Sequence, residues 1–347
     1  MKQHKSTRIS IAFFLIWMPL FFSSCEKIIP FDPSVSQPVL VLNAVPSAEK
    51  QLFVYFSYSH LFLDTSNYHP VSDADMTVYV NGHQYHPSRI NRCNYFFDYI
   101  PQEDDQLSIR ILVGDDSVTA STFIPRKPRI STPQVIDTNS SFRFKKIKFN
   151  IDDHPNYSDY YRISISQRDS GCRYIPYLDK YDTIDTIRTT MFFCTDPRLT
   201  SLTSQTDDFF SSATADVLGT FMFTQLLTDD KAFDGQNIST TLYLIMLRDT
   251  NEVGYFLHQY ILNIETITPD RLHYLQSLNQ STSITQLITE PAPTYSNIHG
   301  GLGIFAGNAK YTYQLPIIQD SLWTDSSALS PALRQAFRHK TPRSIGQ

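Results

Sequence analysis

The side chains able to do chemistry gather in a few short stretches. His83-Gln84-Tyr85-His86 has the HxxH spacing of a metal pair. On a strand, residues three apart face opposite sides of the sheet, so the two imidazoles cannot reach one zinc. No Glu stands where a helical HExxH needs one, and exposed hairpin histidines are the expectation. Asp229-Asp230-Lys231-Ala232-Phe233-Asp234-Gly235 sets three carboxylates ahead of a glycine. Read as a calcium loop starting at Asp230, it has Ala232 and Thr241 where oxygen ligands are essential. Calcium in another geometry stays open; the expectation is a turn with solvated acids. No metal ligand and no cofactor is assigned.

Gly300, Gly301, Gly303 and Gly307 are four of the 11 glycines. A phosphate loop needs Lys and Ser/Thr after its last glycine, and here Asn308 and Ala309 follow. A dinucleotide fingerprint needs a following helix, whereas Lys310 to Gln314 (KYTYQ) reads as strand. The motif is therefore assigned a structural role: backbone at positive φ, or packed against a neighbour too closely for a side chain. No GxSxG elbow occurs. The carboxylates of Glu103-Asp104-Asp105 and Asp115-Asp116 sit in polar turns. No catalytic residue is assigned, and the chain is expected not to be an enzyme. The 24 Phe and 20 Tyr suit cross-strand packing in a β-protein, with a sugar- or peptide-stacking surface as the alternative.

These residues need strands to hold them. Gln51 to Tyr58 alternates, placing Leu52, Val54, Phe56 and Tyr58 on one face. Met76 to Val80 runs into Asn81-Gly82, a strong hairpin signal because both residues tolerate positive φ. Tyr95–Ile100, Leu107–Val113 and Ser117–Ile124 follow, the last two joined through Gly114-Asp115-Asp116. About seven short strands between residues 38 and 126 predict a β-sandwich. Pro125-Arg126-Lys127-Pro128 reads as a linker. Residues 127–316 form a larger strand-rich domain, with Tyr161, Ile163 and Ile165 alternating and Thr240–Arg248 and Tyr255–Ile264 apolar enough to be buried. One helix is expected there: Thr268 as N-cap, Pro269 in the first turn, then Leu272, Leu275 and Leu278. Residues 317–347 read as a loosely ordered polar tail. The fold class is all-β.

Composition agrees with a folded chain. Of 347 residues, 41% are hydrophobic and only 18% charged, which excludes disorder. The formal net charge of −5 argues against nucleic acid, whose binders carry basic faces. No stretch beyond the N-terminus has the ~20 apolar residues of a membrane span.

The N-terminus reads as an address. Lys2, Lys5 and Arg8 precede an uncharged run from Ile11 to Phe22, too short to span a bilayer and suited to a secretory leader. Phe22-Ser23-Ser24-Cys25 follows and resembles the bacterial lipobox, in which the thiol is acylated after cleavage. Residues 1–24 are thus a lipoprotein signal peptide, Cys25 the lipidation site and residues 25–37 a tether. An ordinary signal peptide or an uncleaved anchor is the alternative. Export permits disulfides. Cys172 and Cys194 are the likelier partners in sequence, against two buried free thiols.

Several pieces together resemble one family. They are Cys25-Glu26-Lys27-Ile28-Ile29-Pro30-Phe31-Asp32, Val39-Leu40-Val41-Leu42-Asn43, and Pro70-Val71-Ser72-Asp73-Ala74-Asp75-Met76-Thr77-Val78. Phe233-Asp234-Gly235-Gln236 and the segment Ser296-Asn297-Ile298-His299-Gly300-Gly301-Leu302-Gly303-Ile304-Phe305 complete the set. In this order they resemble the domain of unknown function 4249, lipoproteins of Bacteroidota-type bacteria. The resemblance implies an immunoglobulin- or transthyretin-like N-terminal sandwich. It also implies an outer-membrane lipid anchor, at the cell surface or the periplasmic face. The same resemblance implies a place beside a TonB-dependent transporter in nutrient uptake; with no catalytic motif, the protein reads as a non-enzymatic accessory or binding component, and its aromatic residues leave a glycan or peptide open as ligand. A structural or adhesive envelope protein and a glycan or peptide hydrolase are the competing readings.

Overall fold

The computed structural model describes residues 38–60, 69–71, 73–137, 144–175, 180–199, 222–245, 254–281 and 293–323. Cys25, the leader and the tether lie outside them. Apart from Pro38 and His60, the described residues belong to one compact unit.

The first strands are β1 (Leu40–Ala44), β2 (Phe53–Tyr58), β3 (Asp75–Val80), β4 (His83–Tyr85), β5 (Arg89–Asn91), β6 (Asn94–Phe96), β7 (Gln106–Val113) and β8 (Asp116–Phe123). Next come β9 (Arg129–Ile130), β10 (Gln134–Asp137), β11 (Phe144–Asp152), β12 (Tyr160–Ile175), β13 (Lys180–Thr190) and β14 (Phe192–Cys194). The remainder are β15 (Met222–Phe223), β16 (Gln225–Asp229), β17 (Asn237–Ile245), β18 (Gly254–Ile267), helix α1 (Pro269–Ser281), β19 (Leu302–Phe305) and β20 (Asn308–Trp323). The molecule is all-β with one short helix.

Four sheets share two cores. The first sheet runs β19-β1-β2-β6-β5 and the second β4-β3-β7-β8. Between them lies a core that includes Leu42, Phe56, Met76, Phe97 and Ile111. Strict alternation builds it: Leu107, Ile109, Ile111 and Val113 are buried while Gln106 and Arg110 are exposed, as expected of strands with one wet face. Asn81 (φ 50°) and Gly82 (φ 82°) make the two-residue β3–β4 turn, in the left-handed conformation that matches strand twist.

The third sheet runs β10-β11-β17-β14-β15, with β9 also on β11. The fourth runs β13-β12-β18-β20, with β16 also on β12. Ile147, Phe149, Tyr161, Phe192, Leu242 and Tyr260 belong to the core that these sheets share. The long β12 changes partner along one edge: Tyr160–Ser164 face β16, and Ile165–Ile175 face β13.

Two sequence expectations change here. β20 runs past Pro316 to Trp323, where a loose tail was expected, pairing with β18 as far as Gly254. The register shifts between Gln259 and Ile261, so Pro316, which has no N–H to donate, sits at an irregularity that tolerates it. Residues 324–347 lie outside the described residues. Helix α1 begins at Pro269, and Thr268 stands at its N-cap, its carbonyl accepting from Leu272 N at 3.0 Å. Its hydroxyl, however, is buried without a partner and does not cap. Leu272 packs instead on Leu227 and Ile267 in a small third cluster.

The chain returns to the first sandwich after α1. Residues 296–309 form a strap along it. β19 lies parallel to β1, Val41 opposite Leu302, while His299 exchanges main-chain bonds of 2.9 and 3.0 Å with Thr119 of β8. The strap thus joins both sheets of that sandwich. Ile298 and Phe305 enter its core. Asn297 closes the loop, its side chain donating to Phe305 O and accepting from Phe305 N, both at 2.9 Å.

Candidate functional site

The strap explains the glycine motif. A Cβ at Gly300 would lie on the Ser117 carbonyl oxygen, at Gly303 on that of Leu42, and at Gly307 on that of Phe123. At Gly301 it would lie 2.7 Å from the Leu40 oxygen. Gly300 (φ 78°) and Gly303 (φ 115°) also hold positive φ. Gly307 N donates to the buried Thr122 Oγ1 at 2.9 Å. The motif lets backbone lie on backbone.

Chemistry-bearing groups converge at two other places. The first is where β11, β12, β16 and β17 meet. Asp153 follows β11, Asp159 precedes β12, Asp230 follows β16, and Asp234 lies in the turn leading to β17. Tyr161 Oη donates to Asp153 Oδ1 at 2.6 Å and lies 3.4 Å from Asp159 Oδ2. His154 Nδ1 bonds Asp159 Oδ2 at 2.8 Å. Asp159 N donates to Asp230 Oδ2 at 2.6 Å, Gly235 N to Asp153 Oδ2 at 2.9 Å, and Asn156 N to Asp234 Oδ1 at 3.3 Å. One oxygen each from Asp153, Asp230 and Asp234 lies within 4.8 Å of the others.

Burial sets the electrostatics. Asp153 is 1% exposed and Asp230 5%, so the expected turn of solvated acids is corrected: its Asp229 and Asp230 are enclosed, while Lys231, Ala232 and Asp234 are exposed. Desolvation pushes the Asp159 carboxyl up, with repulsion from Asp153 and Asp230 adding to it and His154 opposing. Burial likewise raises Asp230, with Asp153 and Asp234 adding, and raises the Tyr161 phenol well above its usual range.

The second cluster lies on the inner face of the fourth sheet, beyond its apolar part. Asp169 Oδ1 receives His258 Nδ1 and Gln167 Nε2, each at 2.6 Å, and Arg188 Nε lies 3.1 Å from Oδ2. Burial would raise this carboxyl, but His258, Gln167 and Arg188 outweigh it and hold it low. The Tyr260 hydroxyl beside them is buried without a partner, and its pKa is pushed up to about 12, by desolvation first. An imidazole oriented by a carboxylate is the arrangement of a general base.

Sequence reasoning found one half of the first cluster, the turn with Asp230 and Asp234, and missed the second. The second had a signal. Gln167 and Asp169 continue the alternation of Tyr161, Ile163 and Ile165, so they belong to the inward face. The first had only part of one, since Asp153 and Asp159 lie far in sequence from Asp230.

Other assigned residues fall as follows. His83 and His86 are exposed, and His86 bonds Gln84 at 2.8 Å. Cys194 is a free, buried thiol on β14, in a different sheet from the β12 that carries Cys172, rather than half of the expected disulfide. Burial raises its pKa, with a hydrogen bond to the Asp196 main chain opposing.

Residues 26–314 match the family model described as domain of unknown function (DUF4249). The chain belongs to this family. DUF4249 membership covers both sandwiches and the strap. A comparison with curated proteins finds no match. Among solved structures, the crystal structure of collagen adhesin (CNA) from S. aureus aligns over 80% of this chain and 96% of that chain. The identity is 7% and the TM-score 0.15, too slight a likeness to carry an argument. Among the described residues, no helix is long and apolar enough to cross a membrane.

Proposed function

We propose that this DUF4249 protein is a lipid-anchored outer-membrane protein and a non-enzymatic accessory or binding component beside a TonB-dependent nutrient-uptake system. The observation that carries the reading is an order in the chain. A basic segment, an apolar run and Ser23-Ser24-Cys25 stand directly ahead of residue 26, where the family match begins. A leader that ends at a cysteine suits acylation and anchoring through lipid rather than through a spanning helix. Acyl chains hold strongly when more than one is attached, and the tether would then stand the sandwiches off the membrane. The Bacteroidota-type host, the transporter and a glycan or peptide ligand are parts of this proposal.

The test is native purification from membranes followed by mass spectrometry. Acylated Cys25 together with a co-purifying TonB-dependent channel supports the reading. An unmodified Cys25, or acylated protein that purifies with no channel, sinks it.

A further inference from the structure

We propose that Asp153, Asp230 and Asp234, with Asp159 beside them, form a binding site for a divalent cation of the calcium class. The inference is independent of the membrane anchor and the transporter.

Distance is the first argument. Calcium bonds its oxygen ligands at ~2.3–2.6 Å, so two ligands of one ion stand at most roughly 5 Å apart. The three carboxylates bring one oxygen each within 4.8 Å of the others. They come from two loops distant in sequence, Asp153 from the β11–β12 connection and Asp230 and Asp234 from the β16–β17 turn, so the fold itself brings them together.

Charge is the second. Acidic groups crowd harmlessly in water, but buried charges require a partner. Among the described residues no Lys or Arg pairs with the Asp153, Asp159, Asp230 or Asp234 side chains. Lys231, next in sequence, turns to Asp229 at 2.9 Å and is itself 80% exposed. Arg129 Nη2 reaches only the main-chain carbonyl of Asp153, at 2.9 Å. The bonds that the trio accept come from the Tyr161 hydroxyl and from the main-chain N–H groups of Asn156, Asp159 and Gly235. These fix the oxygens in place and bring no formal positive charge.

The third observation is Asp159 itself. Its side chain is 1% exposed, and its Oδ1 is enclosed without any hydrogen-bond partner. This carboxylate is held against the trio on two sides. Its Oδ2 lies within reach of the Tyr161 hydroxyl that binds Asp153, and its main-chain N binds Asp230. A buried carboxylate oxygen without a partner, beside three converging carboxylates, is a group that a bound cation would satisfy.

The donor set selects the ion. Carboxylate oxygens without thiolates suit a hard cation, and His154 is already directed to Asp159. Calcium tolerates the irregular geometry of two loops better than magnesium, which demands a near-ideal octahedron. Asp234 is exposed, which leaves a path for entry and room for water to complete the shell.

Calcium chloride titrated calorimetrically into the EDTA-treated full-length chain in detergent tests this. The expected result is saturable binding at one site, a higher Tm with calcium, and reversal by EDTA. Asp234→Asn lies on an exposed turn and should fold as the parent does, yet lose roughly tenfold or more in affinity. Asp230→Asn should lose binding as well, while Asp115→Asn, on a distant turn, should bind like the parent. Absence of both heat and Tm change at millimolar calcium would overturn the proposal. So would undiminished binding by Asp234→Asn, which would place the ion elsewhere.

Discussion

Gly82 and Gly303 both hold positive φ, at 82° and 115°, yet their surroundings differ. A Cβ at Gly82 meets nothing within 4 Å, whereas one at Gly303 meets the Leu42 carbonyl and the Asn43 side chain. Gly82→Ala should therefore cost only conformational strain, about 1 kcal/mol. Gly303→Ala should cost more than about 2 kcal/mol, because β19 must move off β1. Urea denaturation of the two variants separates these effects; equal losses would mean that strain alone operates at Gly303. A second residue-scale expectation concerns Asp196. Arg198 holds its carboxyl low through a pair at 2.7 and 2.9 Å, desolvation opposing. A depressed folded-state pKa adds stability above the unfolded value, near pH 4, and loses it as pH falls through the folded value. Asp196→Asn should lower stability by about 1 kcal/mol at pH 7, a modest figure because Arg198 is partly exposed. The gap in Tm between variant and parent should close on acidification below about pH 4. A constant gap would show that the pair's charge contributes nothing.

The elements differ in how firmly they are held. β12 and β18 are bonded to neighbours on both edges, and their inward residues are enclosed. Helix α1 rests on a cluster of three buried residues, Leu227, Ile267 and Leu272, with an uncapped hydroxyl at its start. Its amides should exchange with deuterium well before those of β12 at residues 160–169. Mass-spectrometric exchange checks this, and equal protection would mean that α1 unfolds only with the whole. Leu272→Ala should cost about 2–3 kcal/mol and speed exchange in α1 first. This scale also shows what the sequence could reveal. Alternation in β2, β7 and β12 and the Asn81-Gly82 turn announce strands and a hairpin, because both are local consequences of side-chain parity and φ. Which strands share a sheet is not local, so neither the change of partner along β12 nor the entry of β19 beside β1 could be read. The acidic site was half-visible for the same reason. Asp230 and Asp234 stand together in sequence, while Asp153 and Asp159 join them only through strand pairing.

At the scale of the molecule, the two cores are linked through elements that belong to both parts of the chain. Ile298 and Phe305 come from the segment between α1 and β20, within the span of the second sandwich, and complete the first core. The segment 125–128 is tied down as well: Thr266 Oγ1 donates to the Arg126 carbonyl, the Arg126 guanidinium lies 4.9 Å over the Tyr157 ring, and Lys127 pairs with Glu49 at 2.8 Å. The first sandwich is therefore incomplete when cut at its apparent boundary. Residues 38–126 alone would leave the main-chain groups of β1 that face β19 unpaired, together with the cavity that Phe305 fills. Removing a buried Phe side chain costs about 3–5 kcal/mol, a large fraction of the ~5–15 kcal/mol that holds a typical domain folded. An unpaired edge invites association as well. The isolated fragment should show a low or absent thermal transition and self-associate. A synthetic peptide spanning residues 296–309 should raise its Tm in a saturable way, because binding only to the folded form stabilises it. The same peptide carrying Gly303→Ala should bind far more weakly, since its Cβ meets the Leu42 carbonyl. A fragment that melts cooperatively at the temperature of the full chain, indifferent to the peptide, would show that the strap merely covers a sandwich already complete.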